Sequence, residues 1–492
     1  MQNLEKTVSY IKFADISYPE EFPFNPAVDY PEYPFKQAAL STRNPVYDAL
    51  RELLHSLGLD SGNYGKPSWN PLGTIIKPGD RVLIKPNMVL DQHGYGPDWD
   101  IFSVITHPSL VRAVCDYVVI ALKGSGGIII GDAPLQSCNF ENLIESYGYS
   151  AIQKFYERSG VSVELVDFRL FKSELSGGLN RPLERRGIDH EKYAVVDLGE
   201  ESMLHEISEG FLNYRVTNYD PSEMKKHHNR GKNEYLIPKA ALCADVIINM
   251  PKPKPHRKAG LTCAMKNFVG INGHKDWLPH HRNGCKSSLS DEYLYSNFFK
   301  KIRTKLQEKI DVLCLKEKKG AAGLVRALKL PFGLLMKLTS KDKYTEGSWW
   351  GNDTIWRTVC DLNRIALYAD EKGVFDEKKA RKIFIVADMI VTGDEEGPLE
   401  PTPKKVGALA AGFDLLLFDT VMAAIMGFDY KKIPNILNAY QIKKYPISHY
   451  LPQDMNLISN TPLNGKKICC IKSALGEKFR PTKGWEGHIE LE

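Results

Sequence analysis

The sequence predicts an α/β protein in which mainly parallel sheet, with flanking helices, forms two sub-domains around a cleft. Short apolar runs that end at polar or proline residues, at 81–86 and 245–250, are typical of buried strands. Apolar residues at helical spacing follow the first run, at 106–122, and predict a helix. Such alternation of strand and helix is the pattern of a parallel sheet. A basic, leucine-rich block at 285–346 interrupts this pattern and predicts a helical insertion.

Length and composition narrow the class of protein. The 492 residues are enough for two or three structural units, and 43% hydrophobic with 25% charged residues is ordinary for a soluble globular protein. The net charge of +5 is too small to indicate a nucleic-acid partner. No apolar run is long enough to cross a bilayer, and the N-terminus does not resemble a secretory signal. We therefore expect a cytoplasmic protein, with peripheral contact to a membrane left open.

The cysteines carry information about compartment and cofactors. Nine are scattered along the chain without the spacing of a disulfide framework, which indicates free thiols in a reducing compartment. No Cys-x-x-Cys pair occurs, so we expect neither a zinc ribbon nor an iron–sulfur cluster held by this chain.

Changes in composition divide the chain into five segments. They are an N-terminal arm rich in proline and aromatic residues, with one helix (1–76), a first core part (77–284) with an insertion (170–235), a basic helical insertion (285–346), a second core part (347–430) and a C-terminal extension (431–492). The prolines of the arm block regular structure, so we expect it to lie extended on the body. Its helix is predicted from Asn44 to Leu57, with Pro45 in the first turn.

The elements of the core follow from periodicity. The first part has predicted strands at 81–86, 128–132 and 161–168, with helices at 106–122 and 140–158, and the second part has a helix at 355–366 and a strand at 383–388. Thr106 is the predicted N-cap of the first core helix, and Asp353 or Thr354 that of the later one. The insertion at 170–235 is polar and weakly patterned, which indicates local hairpins or a lid.

The block at 300–337 has two interpretations. One is a helical hairpin that packs on the body and has a solvated basic face. The other is a basic amphipathic helix that rests on an anionic membrane surface.

The stretch from Asp245 to Gly270 is the centre of the functional hypothesis. A buried strand leads into Pro251, Pro253 and Pro255, which keep the backbone extended and stiff. This segment and the residues after it carry five basic side chains: Lys252, Lys254, His256, Arg257 and Lys258. A rigid arm of this kind, placed just after a strand, is suited to hold an anion or to present a base.

Ligands of open α/β sheets bind beyond the carboxyl ends of the strands. Polar residues follow several predicted strands at that position: Lys85, Asn87, Asp132, the segment 252–256 and the segment 388–396. If those strands are parallel, these side chains converge on one edge of the sheet. Each also has a structural interpretation, as a turn former, a cap or a strand-end residue.

Histidine and lysine residues supply the candidate chemistry. His256 lies among cations that disfavour its imidazolium form, so it is the predicted proton acceptor. Lys266 and Asn267 either cap a helix or bind an anion, and His107 is either a structural helix-start residue or a ligand contact. His274, His280 and His281 lie within eight residues, which leaves a metal site open.

Several short motifs together resemble the domain-of-unknown-function family 362 (DUF362). They are Lys85-Pro-Asn87, Thr106-His107-Pro108, Gly131-Asp132, Asp245-Val-Ile-Ile-Asn-Met-Pro-Lys252, His256, Gly260-x-Thr262, Lys266-Asn267-x-x-Gly270, Gly397-Pro398 and the stretch from Phe418 to Asp429. The resemblance spans about 81–430 and implies no settled chemistry. Many members of this family are fused to a ferredoxin-like iron–sulfur module, whose cysteines this chain lacks.

A second resemblance is to the lactate racemase family, which uses a nickel-pincer nucleotide. His256 and Lys266 lie ten residues apart across a turn and precede a further histidine cluster, which is similar to the order of groups in that family. The resemblance implies that His256 is a base, that Lys266 holds a cofactor or an anion, and that His280 or His281 is a further metal or proton site.

These observations predict an enzyme that acts on a small anionic molecule or uses a phosphate-bearing cofactor, by isomerase- or racemase-like or redox-associated chemistry. The metal or nucleotide-derived cofactor and the oligomeric state stay open. The residues expected to act are His256, Lys266 and Asp132 in catalysis, Lys85, Asn87, His107, Lys252, Lys254 and Asn267 in cofactor binding, and His274, His280 and His281 at a metal. The alternative is a non-catalytic protein that binds an anionic glycan or lipid head group at a membrane surface.

Overall fold

A computed structural model describes residues 2–176, 179–184, 189–217, 219, 221–316, 318–471 and 476–492. Parts of the predicted insertion at 170–235 and of the basic block therefore lie outside the described residues. The strands are β1 (Thr7–Lys12), β2 (Arg81–Pro86), β3 (Gly127–Asp132), β4 (Val163–Asp167), β5 (Phe171–Ser176), β6 (Leu179–Glu184), β7 (Tyr193–Asp197), β8 (Tyr214–Arg215), β9 (His228–Asn229), β10 (Lys232–Pro238), β11 (Val246–Met250), β12 (Lys254–His256), β13 (Gly260–Thr262), β14 (His281–Arg282), β15 (Lys382–Asp394), β16 (Thr402–Gly412) and β17 (Asn456–Ser459).

The helices alternate with these strands through the core. They are α1 (Gln2–Glu5), α2 (Pro45–Ser56), α3 (Pro108–Leu122), α4 (Phe140–Ser146), α5 (Tyr149–Arg158), α6 (Pro221–His227), α7 (Lys239–Leu242), α8 (Ala264–Asn267), α9 (Phe298–Leu315), α10 (Lys319–Thr339), α11 (Ile355–Tyr368), α12 (Leu415–Ile425) and α13 (Pro434–Leu437). The predicted α/β class is confirmed.

One mixed sheet of eight strands joins both core parts, in the order β17-β1-β16-β15-β11-β2-β3-β4. The strands from β15 through β11, β2 and β3 to β4 are parallel to one another. β16 runs opposite to both of its neighbours, β15 and β1, and β17 pairs in parallel with β1. The N-terminal arm and the C-terminal extension thus each contribute a strand to the sheet.

Alternate strand residues bury opposite faces of the sheet, as the two-residue strand period requires. Val82 and Ile84 of β2 pack with the cluster that contains α2, α3 and α5. Leu83 between them packs with the cluster that contains α8, α11 and α12. Both faces are therefore covered by helices, which explains why the strands are apolar runs rather than alternating ones.

Two predicted details of the first core part are wrong. The N-cap of α3 is His107, whose Nδ1 accepts from the backbone N–H of Ser109. Thr106 instead accepts from the N–H of Asn87 and donates to the carbonyl of Met250, so it joins the ends of two strands. The helix predicted over 140–158 is broken into α4 and α5, because Gly148 adopts a φ of 86°.

The proline-rich segment after β11 forms one side of a hairpin. β12 pairs antiparallel with β13, with His256 opposite Gly260. Trp485 and Ile489 of the C-terminal extension lie where a side chain at Gly260 would point. The insertion at 170–235 forms hairpins, as one of its two interpretations predicted: β5 pairs with β6, and β10 lies between β7 and β9.

The basic block forms an antiparallel helical hairpin of α9 and α10. Ile310 of α9 and Val325 of α10 are the buried contacts between the two helices. Within the described ranges, no helix combines the length and the apolar character that crossing a bilayer requires.

Candidate functional site

A cavity of about 470 Å³ lies beyond the carboxyl ends of β2 and β3. Its polar lining residues are Asn87, Asp132, Ser137, Thr217, Tyr219, His256, Arg257, Lys258, Thr262, Lys266, Asn267, Lys275, His280 and Glu346. Apolar side chains, among them Val89, Leu135, Val216, Leu278 and Leu399, complete the wall. This volume matches that of small-molecule sites, in which a few polar groups are set in an apolar surround.

A buried ion pair fixes one wall of the cavity. The Lys85 ammonium lies 2.7 Å from Oδ1 of Asp132 and 3.2 Å from Oδ1 of Asn267. The other carboxylate oxygen of Asp132 accepts from the N–H of Met88 at 2.7 Å. Burial lowers the pKa of Lys85, and the Asp132 carboxylate opposes this shift. Since both oxygens of Asp132 are occupied, this carboxylate holds the end of β2 against the end of β3.

Gly270 allows this ion pair to form. A Cβ at position 270 would lie 1.9 Å from Oδ1 of Asp132 and 2.7 Å from Nζ of Lys85. The carbonyl of Gly270 also accepts from the N–H of Ala133 at 2.7 Å. The backbone of this loop therefore lies directly on the ion pair, where only glycine fits.

His256 has a fixed tautomer. Its Nδ1 accepts two backbone N–H groups, from Lys258 at 3.0 Å and from Ala259 at 3.1 Å. A ring nitrogen that accepts cannot carry the proton, so the neutral ring bears its hydrogen on Nε2. Burial, followed by the charges of Lys266 and its neighbours, lowers the pKa of His256 well below its usual value. His256 is thus a neutral imidazole with an N–H donor at Nε2.

His280 has the opposite tautomer. Its Nδ1 lies 2.6 Å from the carbonyl oxygen of Leu278, and a carbonyl only accepts, so the hydrogen is on Nδ1. Nε2 is then the unprotonated nitrogen. Burial, Lys266 and Lys258 lower the pKa of His280 well below its usual value. The cavity therefore contains one neutral imidazole that donates and another whose lone pair is available.

Three lysines make the cavity cationic. Burial lowers the pKa of Lys266 and of Lys258 to about 8, and that of Lys275 to about 7. Lys258 donates to the hydroxyl of Thr217 and to the carbonyl of Glu346, and Lys275 donates to the carbonyl of Val269 at 3.4 Å. Among the residues that the structure describes, Lys266 makes no hydrogen bond or ion pair, and no carboxylate lies within ion-pair distance of any of these three ammonium groups.

The structure brings together most of the predicted site residues. Asn87, Asp132, His256, Lys266, Asn267 and His280 line the cavity, and Lys85 lies directly behind Asp132. Their convergence follows from the parallel order of β2, β3 and β11, which places three strand ends at one edge.

Three predicted binding residues lie elsewhere, and their polar groups bind other parts of the protein. Lys252 forms a fully buried ion pair with Asp388 at 2.7 Å. Lys254 donates to the carbonyl of Val104 at 2.7 Å. His107 stacks on Tyr18 with 3.9 Å between ring centroids and caps α3. Segment 388–396 is also outside the cavity lining, because β15 continues to Asp394 rather than ending beside β11.

The three histidines considered for a metal do not converge. His274 lies in an aromatic cluster, stacked on Trp277 with 5.0 Å between ring centroids. His281 lines a separate cavity of about 50 Å³, with its Nδ1 3.4 Å from the Lys258 ammonium. In the described part of the chain, no three His, Cys, Asp or Glu side chains are grouped as a metal site would need.

Sequence reasoning missed several residues of the lining. Thr217 and Tyr219 come from the weakly patterned insertion, and Glu346 comes from the return of the helical hairpin. Lys275 lies between two of the predicted histidines but was not singled out. Its position beside a histidine cluster is the one signal that could have identified it, because the other three lack any local motif.

The comparisons with known proteins agree with the motif resemblance. The family described as "Domain of unknown function (DUF362)" matches residues 82–175 and 186–424. That match supports the first of the two resemblances and gives no support to the likeness with lactate racemases. A protein of Synechocystis sp. named as thylakoid-associated is 26% identical over 222 residues, which is 45% of this chain. The chain spans 44% of the length of that relative.

A solved structure of a protein from Thermotoga maritima aligns with 74% of this chain and 54% of its own. The two share 11% sequence identity, with a TM-score of 0.30.

Proposed function

For this chain, which belongs to the DUF362 family, we propose an enzyme that binds a small anionic substrate and moves one of its protons. The observation that carries the proposal is the pair of neutral imidazoles with opposite tautomers, His256 and His280, beside Lys266 in one cavity. Acid–base enzymes require one group that accepts a proton and another that stabilises the charge left behind.

The lysines support an anionic ligand. Lys258, Lys266 and Lys275 line the cavity without a carboxylate partner in the described structure, and burying such groups costs free energy. A bound carboxylate or phosphate would compensate that cost with charge-assisted hydrogen bonds. The Asp132 carboxylate is paired with Lys85, and its charge also raises the pKa of Lys275 against the effect of burial. A phosphate-bearing cofactor would be held by the same three lysines.

The tautomers of the two histidines support one direction of proton transfer. Nε2 of His280 takes the proton from a carbon or oxygen next to the anionic group, and the electron pair of the broken bond stays on the substrate. The Nε2–H of His256 and the Lys266 ammonium stabilise the resulting oxyanion. Return of the proton from His280 to a different position or face completes an isomerisation with no net redox change. These roles differ from the sequence prediction, in which His256 is the base.

Ligand binding is the first test. Isothermal titration with inorganic phosphate and with malonate should detect binding to the full chain, and Lys266→Met should weaken it by about tenfold or more, the effect of one charged hydrogen bond. Lys254→Met is the matched control, since Lys254 is a buried lysine that has no carboxylate partner among the described residues but is bound to the Val104 carbonyl. If phosphate and malonate both fail to bind, or Lys266→Met binds as the wild type does, the anion site is wrong.

Proton exchange is the second test. The protein is incubated in D₂O with α-hydroxy and α-keto acids and with their phosphorylated counterparts, and deuterium uptake is followed by NMR. His280→Gln should lower the exchange rate by about 10²–10⁴-fold, because the base is lost. His256→Gln should cost less, since the amide N–H of Gln can replace the donor at Nε2. The reverse order would overturn the assignment of roles.

The alternative is a protein that binds an anionic glycan or lipid head group without chemistry. It would use the same lysines, and the name of the Synechocystis relative, which is described as thylakoid-associated, supports a membrane-surface location for it. Anion binding that depends on Lys266 but comes with no deuterium exchange for any member of the panel would favour this alternative.

A further inference from the structure

The outward face of α10 is unusually apolar for a surface helix. It carries six leucines that are between 39% and 82% exposed: Leu324, Leu328, Leu330, Leu334, Leu335 and Leu338. At 100° per residue, these side chains and Pro331 cover somewhat less than half of the helix circumference. A contiguous exposed apolar surface of this kind marks a binding surface, because single exposed leucines are common but clusters are not.

The other face of α10 accounts for how the hairpin is held together. Ala322 and Val325 are buried, and Val325 packs on Ile310 of α9. The Lys329 ammonium donates to Oε1 of Gln307. The two helices are therefore already packed through their inner faces, so the six leucines are not needed to hold the hairpin together.

The hairpin is also the most basic part of the chain. Residues 298–339 contain eleven Lys and Arg against three Asp and Glu, a net charge of +8, whereas the whole chain carries only +5. Lys301, Lys305 and Lys309 recur every four residues and form an exposed stripe along α9. Arg326 and Lys337 border the leucine face of α10 and are exposed.

We propose that the α9–α10 hairpin docks on the surface of an anionic lipid bilayer. The leucines of α10 enter the boundary between head groups and acyl chains, and the lysines of α9 contact lipid phosphates. This surface is separate from the proposed enzyme function and does not depend on it.

The positive charge of the hairpin favours an anionic bilayer over a second copy of this chain as the partner of the leucine face. A second copy of this chain would bring a hairpin with the same +8 charge to the interface, and like charges oppose such a contact. An anionic membrane offers apolar depth and negative charge together, which matches leucines flanked by lysines.

Vesicle co-sedimentation of the full chain tests the proposal. The wild type should bind vesicles of phosphatidylcholine with added phosphatidylglycerol at low salt, bind pure phosphatidylcholine weakly, and be released as salt rises. The triple variant Leu328→Ser, Leu334→Ser, Leu338→Ser should lower the partition coefficient by about tenfold or more. The control is Leu212→Ser, Leu437→Ser, Leu451→Ser, three leucines outside the hairpin that are between 39% and 55% exposed.

The charge contribution is tested separately. Lys301→Gln, Lys305→Gln, Lys309→Gln should bind weakly and lose most of the salt dependence, whereas Lys66→Gln, Lys466→Gln, Lys467→Gln, at exposed sites elsewhere, should bind as the wild type does. All of these positions are exposed or partly exposed, so we expect the substitutions to leave the fold intact. An unchanged melting temperature would confirm this for each variant.

Two results would overturn the proposal. One is a wild type that stays in the supernatant with anionic vesicles at low salt. The other is a wild type that sediments as a dimer in analytical ultracentrifugation, together with a leucine variant that is a monomer but binds vesicles as well as the wild type does. The leucine face would then belong to an interface between copies.

Discussion

His256 and His280 are held in opposite tautomers by their own backbone surroundings. Two N–H groups bind Nδ1 of His256, whereas one carbonyl binds Nδ1 of His280. The backbone thus decides which ring donates from Nε2 and which ring accepts there. A division of labour between two chemically identical side chains follows, and it is set before any ligand arrives.

Histidine NMR tests this tautomer pair directly. In protein labelled with ¹⁵N-histidine, His256 should show a protonated Nε2 and His280 a protonated Nδ1. Neither ring should become protonated near pH 6.5, where an ordinary histidine titrates, because burial and the nearby lysines lower both pKa values. His228 is an internal reference, since its Nε2 lies 2.8 Å from the Trp277 carbonyl and must carry the hydrogen. Assignment uses His256→Gln and His280→Gln, and two rings with the same tautomer would contradict the prediction.

Anion affinity should fall as pH rises. The pKa of Lys275 is about 7 and those of Lys258 and Lys266 are about 8, so their positive charge is lost between pH 6.5 and pH 9. Sulfate is the suitable probe because its own charge is constant over this range, and its affinity should drop by about tenfold or more. Glu346 and Asp132, which is paired with Lys85, also line the cavity. Constant sulfate affinity from pH 6.5 to pH 9 would show that these lysines do not hold the anion.

Lys266→Met should stabilise the protein while it weakens ligand binding. Burial lowers the pKa of Lys266 from 10.5 to about 8, so the unfolded chain binds its proton more tightly. Lys266 therefore lowers the free energy of unfolding. This destabilisation is complete below pH 8 and disappears as pH rises toward 10.5. Chemical denaturation at pH 6.5 should show a gain of about 1–3 kcal/mol in the free energy of unfolding, and a smaller gain at pH 9.5.

Lys467→Met is the control for this measurement, since Lys467 is exposed and should change the free energy of unfolding by less than about 0.5 kcal/mol. A Lys266→Met variant that is less stable than the wild type at pH 6.5 would mean that the ammonium has an internal partner.

Gly270→Ala should destabilise the fold and disturb the cavity. The added Cβ would lie 1.9 Å from the Asp132 carboxylate, so either the loop or the ion pair must move. We expect a loss of about 1–3 kcal/mol in the free energy of unfolding, as for other overpacked sites, together with weaker phosphate binding. Gly127→Ala is the matched control, because no atom of the described residues lies within 4 Å of a Cβ at that position at the start of β3. Equal stability of the two variants would contradict the close approach.

The fold class and the position of the site could be predicted from local patterns. Apolar runs such as 246–250 are short and end in proline, and strand polarity then brings Asn87, Asp132 and His256 to one edge. The details that failed depend on contacts between distant segments. Thr106 has a residue type suited to an N-cap, but it bonds Asn87 and Met250, and no local pattern shows that those strand ends meet there.

The roles of individual lysines could not be predicted for the same reason. Lys252, Lys254 and Lys266 are similar in sequence context, since each follows a strand or a turn in one basic stretch. Lys252 is neutralised by Asp388, which lies 136 residues later in the chain, whereas Lys266 has no such partner in the described structure. Only the tertiary arrangement separates the structural lysine from the one that is free to bind.

The place of β1 in the sheet constrains how this protein is made. β1 leaves the ribosome long before its partners β16 and β17, which begin at Thr402 and Asn456. At 5–20 residues per second, the strand waits on the order of 20–80 s before its first partner is synthesised. During that time its backbone donors and acceptors are unpaired, as in an exposed sheet edge. The sheet can therefore be completed only after β16 and β17 have emerged.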